Sequence, residues 1–175
     1  NLYGDQGKLG EAEEMCLRAL AGYEKALGRD HTSTLDTVNN LGNLYGDQGK
    51  LGEAEEMYLR ALAGYEKALG RDHTSTLDTV NNLGILYGDQ GKLGEAEEMY
   101  LRALAGYERA SQSKTIPALN TIYNMALLYC DQSKVEEAKA MLQRALAGGK
   151  KILGPHHSYT RDIVNRLKEL TSAQK

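Results

Sequence analysis

Tryptophan and phenylalanine are absent from the 175 residues and proline occurs twice, whereas tyrosine occurs eleven times. An aromatic content confined to one residue type points to a few positions copied many times. Cysteine is scarce as well. Cys16 and Cys130 stand far apart without C-x-x-C spacing, which excludes a disulfide framework and a cysteine zinc site and leaves two reduced thiols. No apolar run approaches the roughly 20 residues that span a bilayer, and no charged-then-apolar leader opens the chain. The expectation is a soluble, cytoplasmic chain with no membrane partner. A basic excess is also missing: the formal net charge is -3, which gives no electrostatic footprint for nucleic acid.

What is present is repetition. Shifting the chain by 42 residues superposes 1–42 on 43–84 with one mismatch, Cys16 against Tyr58. A third copy runs over 85–126 and diverges after Glu108, and a fourth begins at Leu127 and ends in GPHHSYT. Periods of this size mean a solenoid or an array. Identity at positions expected to be exposed, such as Gln48 and Gln90, is not explained by packing, and recent duplication explains it more simply.

Each period holds two helical patterns. Leu35, Val38, Leu41, Gly42 and Tyr45 recur at steps of three and four, as do Ala54, Met57, Tyr58, Ala61, Leu62, Tyr65 and Leu69, so each helix buries one stripe. Between them, in DQGKLGE, Gly49 stands where a left-handed residue ends the first helix. The two helices form an antiparallel hairpin, and stacked hairpins share one core because a single one cannot cover both stripes.

This pattern resembles the tetratricopeptide repeat. Val80, Leu83, Gly84, Tyr87, Ala96, Tyr100 and Ala103 match its signature, although Val80 replaces the usual Trp and Glu108 stands where a Pro closes the repeat. The missing Pro lets the second helix run to about Leu69 in the preceding copy and lengthens the repeat beyond the usual ~34 residues. The junction GRDH and the helix NNLGNLY are similar to the kinesin light chain subfamily. The near-identity of the copies resembles the repeat arrays of fungal NOD-like (NB-ARC/NACHT) signalling proteins. The resemblance implies an all-α, right-handed α-solenoid that acts as a protein-interaction scaffold. The expected division is a partial first repeat over 1–31, repeats over 32–73, 74–115 and 116–157, and a capping helix over 158–175. Charge is uneven along the array, with four basic and seven acidic residues in 1–42 against nine and five in 127–175. Head-to-tail self-association is one expectation from that asymmetry.

GRDHTSTLDTVNN, at 28–40 and again at 70–82, invites a hydrolase reading, since Asp72, His73, Thr74 and Ser75 supply the residue types of a nucleophile and its base. Consecutive residues in a turn point apart, however, and the third copy has Lys114 and Thr115 in place of Asp72 and His73. The structural reading is a helix start: Thr74 or Ser75 caps, Asp78 lies in the first turn, Pro117 opens the next copy, and His31 and His73 act as spacing. His156 and His157 lack the i, i+4 spacing of a helical metal pair, and no phosphate loop occurs. No catalytic residue, metal or cofactor is expected. The glycines within helices, Gly64 and Gly106, are left open between flexibility and close packing.

One surface remains. Asp36, Asn39, Asn40, Asn43 and Asp47 form a polar stripe opposite the core, and Asp78, Asn81, Asn82, Ile85 and Asp89 repeat it in the next copy. The third offers Asn120, Tyr123, Asn124 and Asp131. In the family that the chain resembles, these first helices line a concave groove for partner peptides. Asn both donates and accepts, so such a ladder suits an extended backbone, and its Asp residues favour a neutral or basic segment. The alternatives implied by resemblance are a sensing or self-association arm of a NOD-like ATPase and a kinesin light chain-like cargo adaptor.

Overall fold

The computed structural model describes residues 2–172, with side chains from residue 8 onward. Among these lie eight α-helices: α1 (Leu2–Leu27), α2 (Thr32–Asp47), α3 (Leu51–Leu69), α4 (Thr74–Asp89), α5 (Leu93–Arg109), α6 (Ile116–Asp131), α7 (Val135–Ile152) and α8 (Ser158–Ser172). Helices α2 and α3, α4 and α5, and α6 and α7 form antiparallel hairpins, and each hairpin packs on the next in chain order. None of the helices is long and apolar enough to cross a membrane.

The stripes read from the sequence are the ones that are buried. Leu35, Val38 and Leu41 of α2 meet Ala61 and Tyr65 of α3 in one cluster, and the cluster around Val80 and Leu83 continues it one hairpin on. The turn within each hairpin needs a left-handed residue. Gly49 and Gly91 take it at φ 73, and Ser133 takes it at φ 59 where the fourth copy lacks the glycine. At the junctions after α1, α3 and α7 a buried Thr ties the chain to the next helix: Thr34, Thr76 and Thr160 donate to the carbonyls of Gly28, Gly70 and Gly154, whereas after α5 that position is Ala118.

The helical glycines mark close packing. A Cβ at Gly42 would stand 2.8 Å from the ring of Tyr58, and one at Gly64 would stand 2.5 Å from Leu35. Gly84 and Tyr100 repeat the first pair. In the third hairpin the pair is Ala126 and Leu142, both fully buried, so a larger residue on one helix is matched by a smaller one on its neighbour.

Two expectations change. In 1–42 the sequence repeats the DQGKLGE link, yet α1 runs through Gly7 without a turn. A helix tolerates an internal glycine at a cost of about 1 kcal/mol relative to Ala, so Gly7 does not by itself force a turn. Gln48 and Gln90, read as exposed, are half-buried, and their amides reach across to the preceding second-type helix, α1 or α3.

That reach is one part of a joint that recurs three times. Gln48 donates to the Leu9 carbonyl and to Glu13, Lys50 pairs with Glu13 at 2.8 Å, and the Lys50 ammonium lies 5.2 Å from the Tyr45 ring. Tyr87, Gln90 and Lys92 grip Glu55 in the same way, and Tyr129, Gln132 and Lys134 grip Glu97. A second ladder joins the second-type helices: Arg60 to Glu24, Arg102 to Glu66 and Arg144 to Glu108.

Candidate binding groove

Helices α2, α4 and α6 lie side by side, which brings the three polar stripes together. The Asn residues bond across that surface more than a free binding ladder would. Thr79 donates to Asn39 at 3.1 Å, Asn82 to Asn43 at 3.3 Å and Asn124 to Asn81 at 3.2 Å. Asn43 also accepts from the Tyr58 hydroxyl at 2.7 Å. Asp36 and Asp78 accept from the hydroxyls of Tyr65 and Tyr107. Burial raises the Asp78 carboxyl above the usual range, against the hydrogen bond from Tyr107. Asn40 and Asn120 are exposed, while Tyr123 is half-buried and packs against Tyr159 of α8 with ring centroids 5.7 Å apart and the rings tilted at 58°.

Two clefts open between the first-type helices. One, of about 280 Å³, is lined by Asn43, Asp47, Tyr58, Asn82, Ile85 and Asp89. The other, of about 220 Å³, is lined by Ile85, Asp89, Tyr100, Asn124, Leu127 and Asp131. Each therefore carries two aspartates on its rim and a tyrosine in its floor, and Ile85 is shared. Burial, with the carboxylates of Asp47 and Asp89, pushes the Tyr58 phenol up to about 12. Burial and the charges of Asp89 and Asp131 push Tyr100 up as well. Both rings are therefore neutral donors at neutral pH.

Tyr58 and Tyr100 were assigned by sequence to the core alone. The signal for their second role is the change from Asn43 to Ile85. Asn43 occupies the Tyr58 hydroxyl, whereas Ile85 has no acceptor to offer, and Tyr100 has no hydrogen-bond partner among the described residues.

The Asp-His-hydroxyl run is taken apart by the structure. The Asp72 carboxylate pairs with Arg109 at 2.7 Å, and the hydrogen bond from Arg109 lowers its pKa from the usual value, while the Thr74 hydroxyl donates to Gln112. Nδ1 of His73 accepts the backbone N–H of Ser75 at 3.2 Å. His31 and His157 do the same for Ser33 and Tyr159. Capping by Thr74 or Ser75 is thus corrected: the imidazole is the N-cap, and the helix starts one residue earlier than the hydroxyl pattern suggested. Only in the third junction is the cap a hydroxyl, that of Thr115, with Pro117 in the first turn. Among the described residues no three His, Cys, Asp or Glu side chains are placed to hold a metal.

Models of the tetratricopeptide repeat match residues 1–67 and 36–109, and a second such model matches 118–159. The chain belongs to the tetratricopeptide repeat family. Among solved structures it is similar to a Podospora anserina protein named for kinesin light chain and for nearly identical TPR-like repeats. That protein is 26% identical with a TM-score of 0.77, over 98% of this chain and 82% of the other. A single-substitution form of that protein superposes at a TM-score of 0.79, again at 26% identity, over 98% and 81%. BtubC (BKLC) from P. vanneervenii, at 21% identity and a TM-score of 0.76 over 99% and 77%, shares the fold. No curated protein matches the sequence. Tetratricopeptide repeat domains are typically protein–protein interaction modules without catalysis, and the two clefts lie on the helices that the sequence pattern singled out.

Proposed function

We propose that this tetratricopeptide array binds an extended segment of a partner protein along α2, α4 and α6, with Ile85 at the centre of the contact. The repeated cleft carries this reading: the same aspartate-rimmed, tyrosine-floored depression occurs twice, one hairpin apart. Side chains from one face of an extended peptide enter the two clefts in turn, and the rims favour lysine or arginine on the peptide. Because most of the Asn residues already bond to one another, Asp47, Asp89 and Asp131, the Tyr100 hydroxyl and Ile85 carry the recognition. Asn40 and Asn120 flank it, and Asp36, Asn39, Asn81, Asp78 and Tyr123 hold the surface in shape.

Selection from a random peptide display library tests this. Neutral or basic extended peptides are expected, with binding lost in Ile85→Arg and weakened about 10-fold or more in Asp89→Lys. Selected peptides that bind both variants as tightly as the parent chain would exclude the groove.

The likeness to kinesin light chain-named repeats supports a cargo-adaptor role, and the near-identity of the first copies supports a recognition arm of a signalling ATPase. Head-to-tail association of the acidic start with the basic end is the self-partner reading. It calls for a salt-sensitive sedimentation coefficient, and a monomer at low salt and high concentration would exclude it.

A further inference from the structure

We propose that a cleft separate from the groove, between α5, α6 and α7, binds a carboxylate carried on an apolar body. The cleft encloses about 580 Å³, within the range of small-ligand sites, and shares no lining residue with the two groove clefts. Its floor is Leu119, Ile122 and Gly148, the exposed Ile152 forms an apolar wall, and its rim carries Lys114 and Lys151.

The preceding junctions show what belongs at that rim. Lys67 pairs with Asp30 at 2.7 Å, and one hairpin on, Arg109 holds Asp72 through two hydrogen bonds of 3.0 and 2.7 Å. At the third junction the cation is kept as Lys151, while the acid position is Lys114. Two cations thus face a place where the array elsewhere puts a carboxylate. Among the described residues neither lysine has an ion-pair partner, and the carboxylate that does line the cleft, Glu108, is paired with Arg144 at 2.9 Å. A ligand carboxylate restores the missing charge and bridges both ammonium groups. The apolar floor below the rim then takes the rest of the molecule, burying surface that is otherwise wet. The shared chemistry, a terminal carboxylate on an aliphatic body, is found in medium-chain fatty acids and in peptide C-termini ending in Leu or Ile.

Octanoate and acetyl-Gly-Leu-Leu with a free C-terminus are the probes, titrated by calorimetry and by ¹⁵N NMR, with octanol and the peptide amide as their uncharged counterparts. Binding by either acid, with shifts centred on Ser113, Lys114, Gly148 and Lys151, is expected, and the tighter of the two identifies the source. The uncharged counterparts and the Lys114→Asp variant are expected to bind about 10-fold more weakly or worse. Lys114→Asp rebuilds the pairing seen between Asp72 and Arg109, so its melting temperature is expected to hold or rise, which separates lost binding from lost folding. Lys151→Gln gives an independent loss. Binding of octanol equal to octanoate, shifts centred elsewhere, affinity in both variants within two-fold of the parent, or no binding of either acid at millimolar concentration would overturn the assignment.

Discussion

At the residue scale, one letter of the repeat has opposite values in different copies. Gly22 and Gly64 are equivalent in sequence, and both lie inside a helix. A Cβ at Gly64 would collide with Leu35, whereas one at Gly22 meets nothing within 4 Å. Gly22→Ala is therefore expected to stabilise by about 0.5–1 kcal/mol through helix propensity. Gly64→Ala is expected to destabilise by about 1–3 kcal/mol through overpacking. Urea unfolding of the two variants checks the contrast, and a shared sign would refute it. The sequence displayed both glycines but could not rank flexibility against packing, because the deciding atom sits on another helix. The histidine caps were illegible for a similar reason. Ser, Thr and Asp dominate N-caps, so the hydroxyl pair after His73 was the natural choice, yet extended backbone at His73 (φ -70, ψ 144) aims Nδ1 at the Ser75 amide. His73→Ala is expected to cost about 1 kcal/mol and His73→Asn much less, by thermal or chemical unfolding. Equal effects of the two would show that the ring contributes by bulk instead of by its lone pair.

At the scale of elements, the hydrophobic periods of three and four gave the helices and their buried faces, because burial of a stripe is a local property of one segment. The joints between hairpins were not readable that way. Glu55 and the residues that hold it lie 32 to 37 positions apart in sequence. The hydrogen bond from Gln90 and the charge of Lys92 hold the Glu55 carboxyl below its usual range. Glu97 is held low too: burial opposes its ionisation, but the bonds from Lys134, Tyr129 and Gln132 outweigh that. A folded-state value below the unfolded one means stability that is present above the unfolded value and lost as pH falls through the folded one. Asp78, raised by burial, acts with the opposite sign. Melting temperature is expected to drop as pH falls from about 5 to 3, less steeply in Glu55→Gln and more steeply in Asp78→Asn. An unchanged slope in both variants would remove these groups from the account.

For the whole molecule, among the described residues each hairpin touches only its neighbours in the chain, through consecutive helices and through the first-type helices α2, α4 and α6. Stability is then a sum of hairpin and joint contributions, and the units with a joint on one side only open first. Hydrogen exchange is expected to show the slowest amides in α4 and α5 and faster ones in α1 and α8. Uniform protection from end to end would mean a single cooperative unit instead. The groove was half legible at this scale. Repetition marked the helices and half of the residues that line the two clefts, but whether an Asn side chain is free or bonded to the next copy depends on how adjacent helices are spaced, which no single period records.

The triple joint gives the hairpins α2–α3 and α4–α5 a plug on one side and a socket on the other, while α1 carries a socket and α6–α7 a plug. The plug is a tyrosine, a glutamine and a lysine around the turn, and the socket is one glutamate on the neighbouring helix. Because the three connections are interchangeable, a unit of 42 residues inserted or removed between them leaves every remaining plug facing a matching socket. The length of the array is thereby uncoupled from the chemistry of its connections. At Lys139, the position of the next socket, the sign is reversed, so α8, which packs on α7, is offered an ammonium where α4 and α6 are offered a carboxylate.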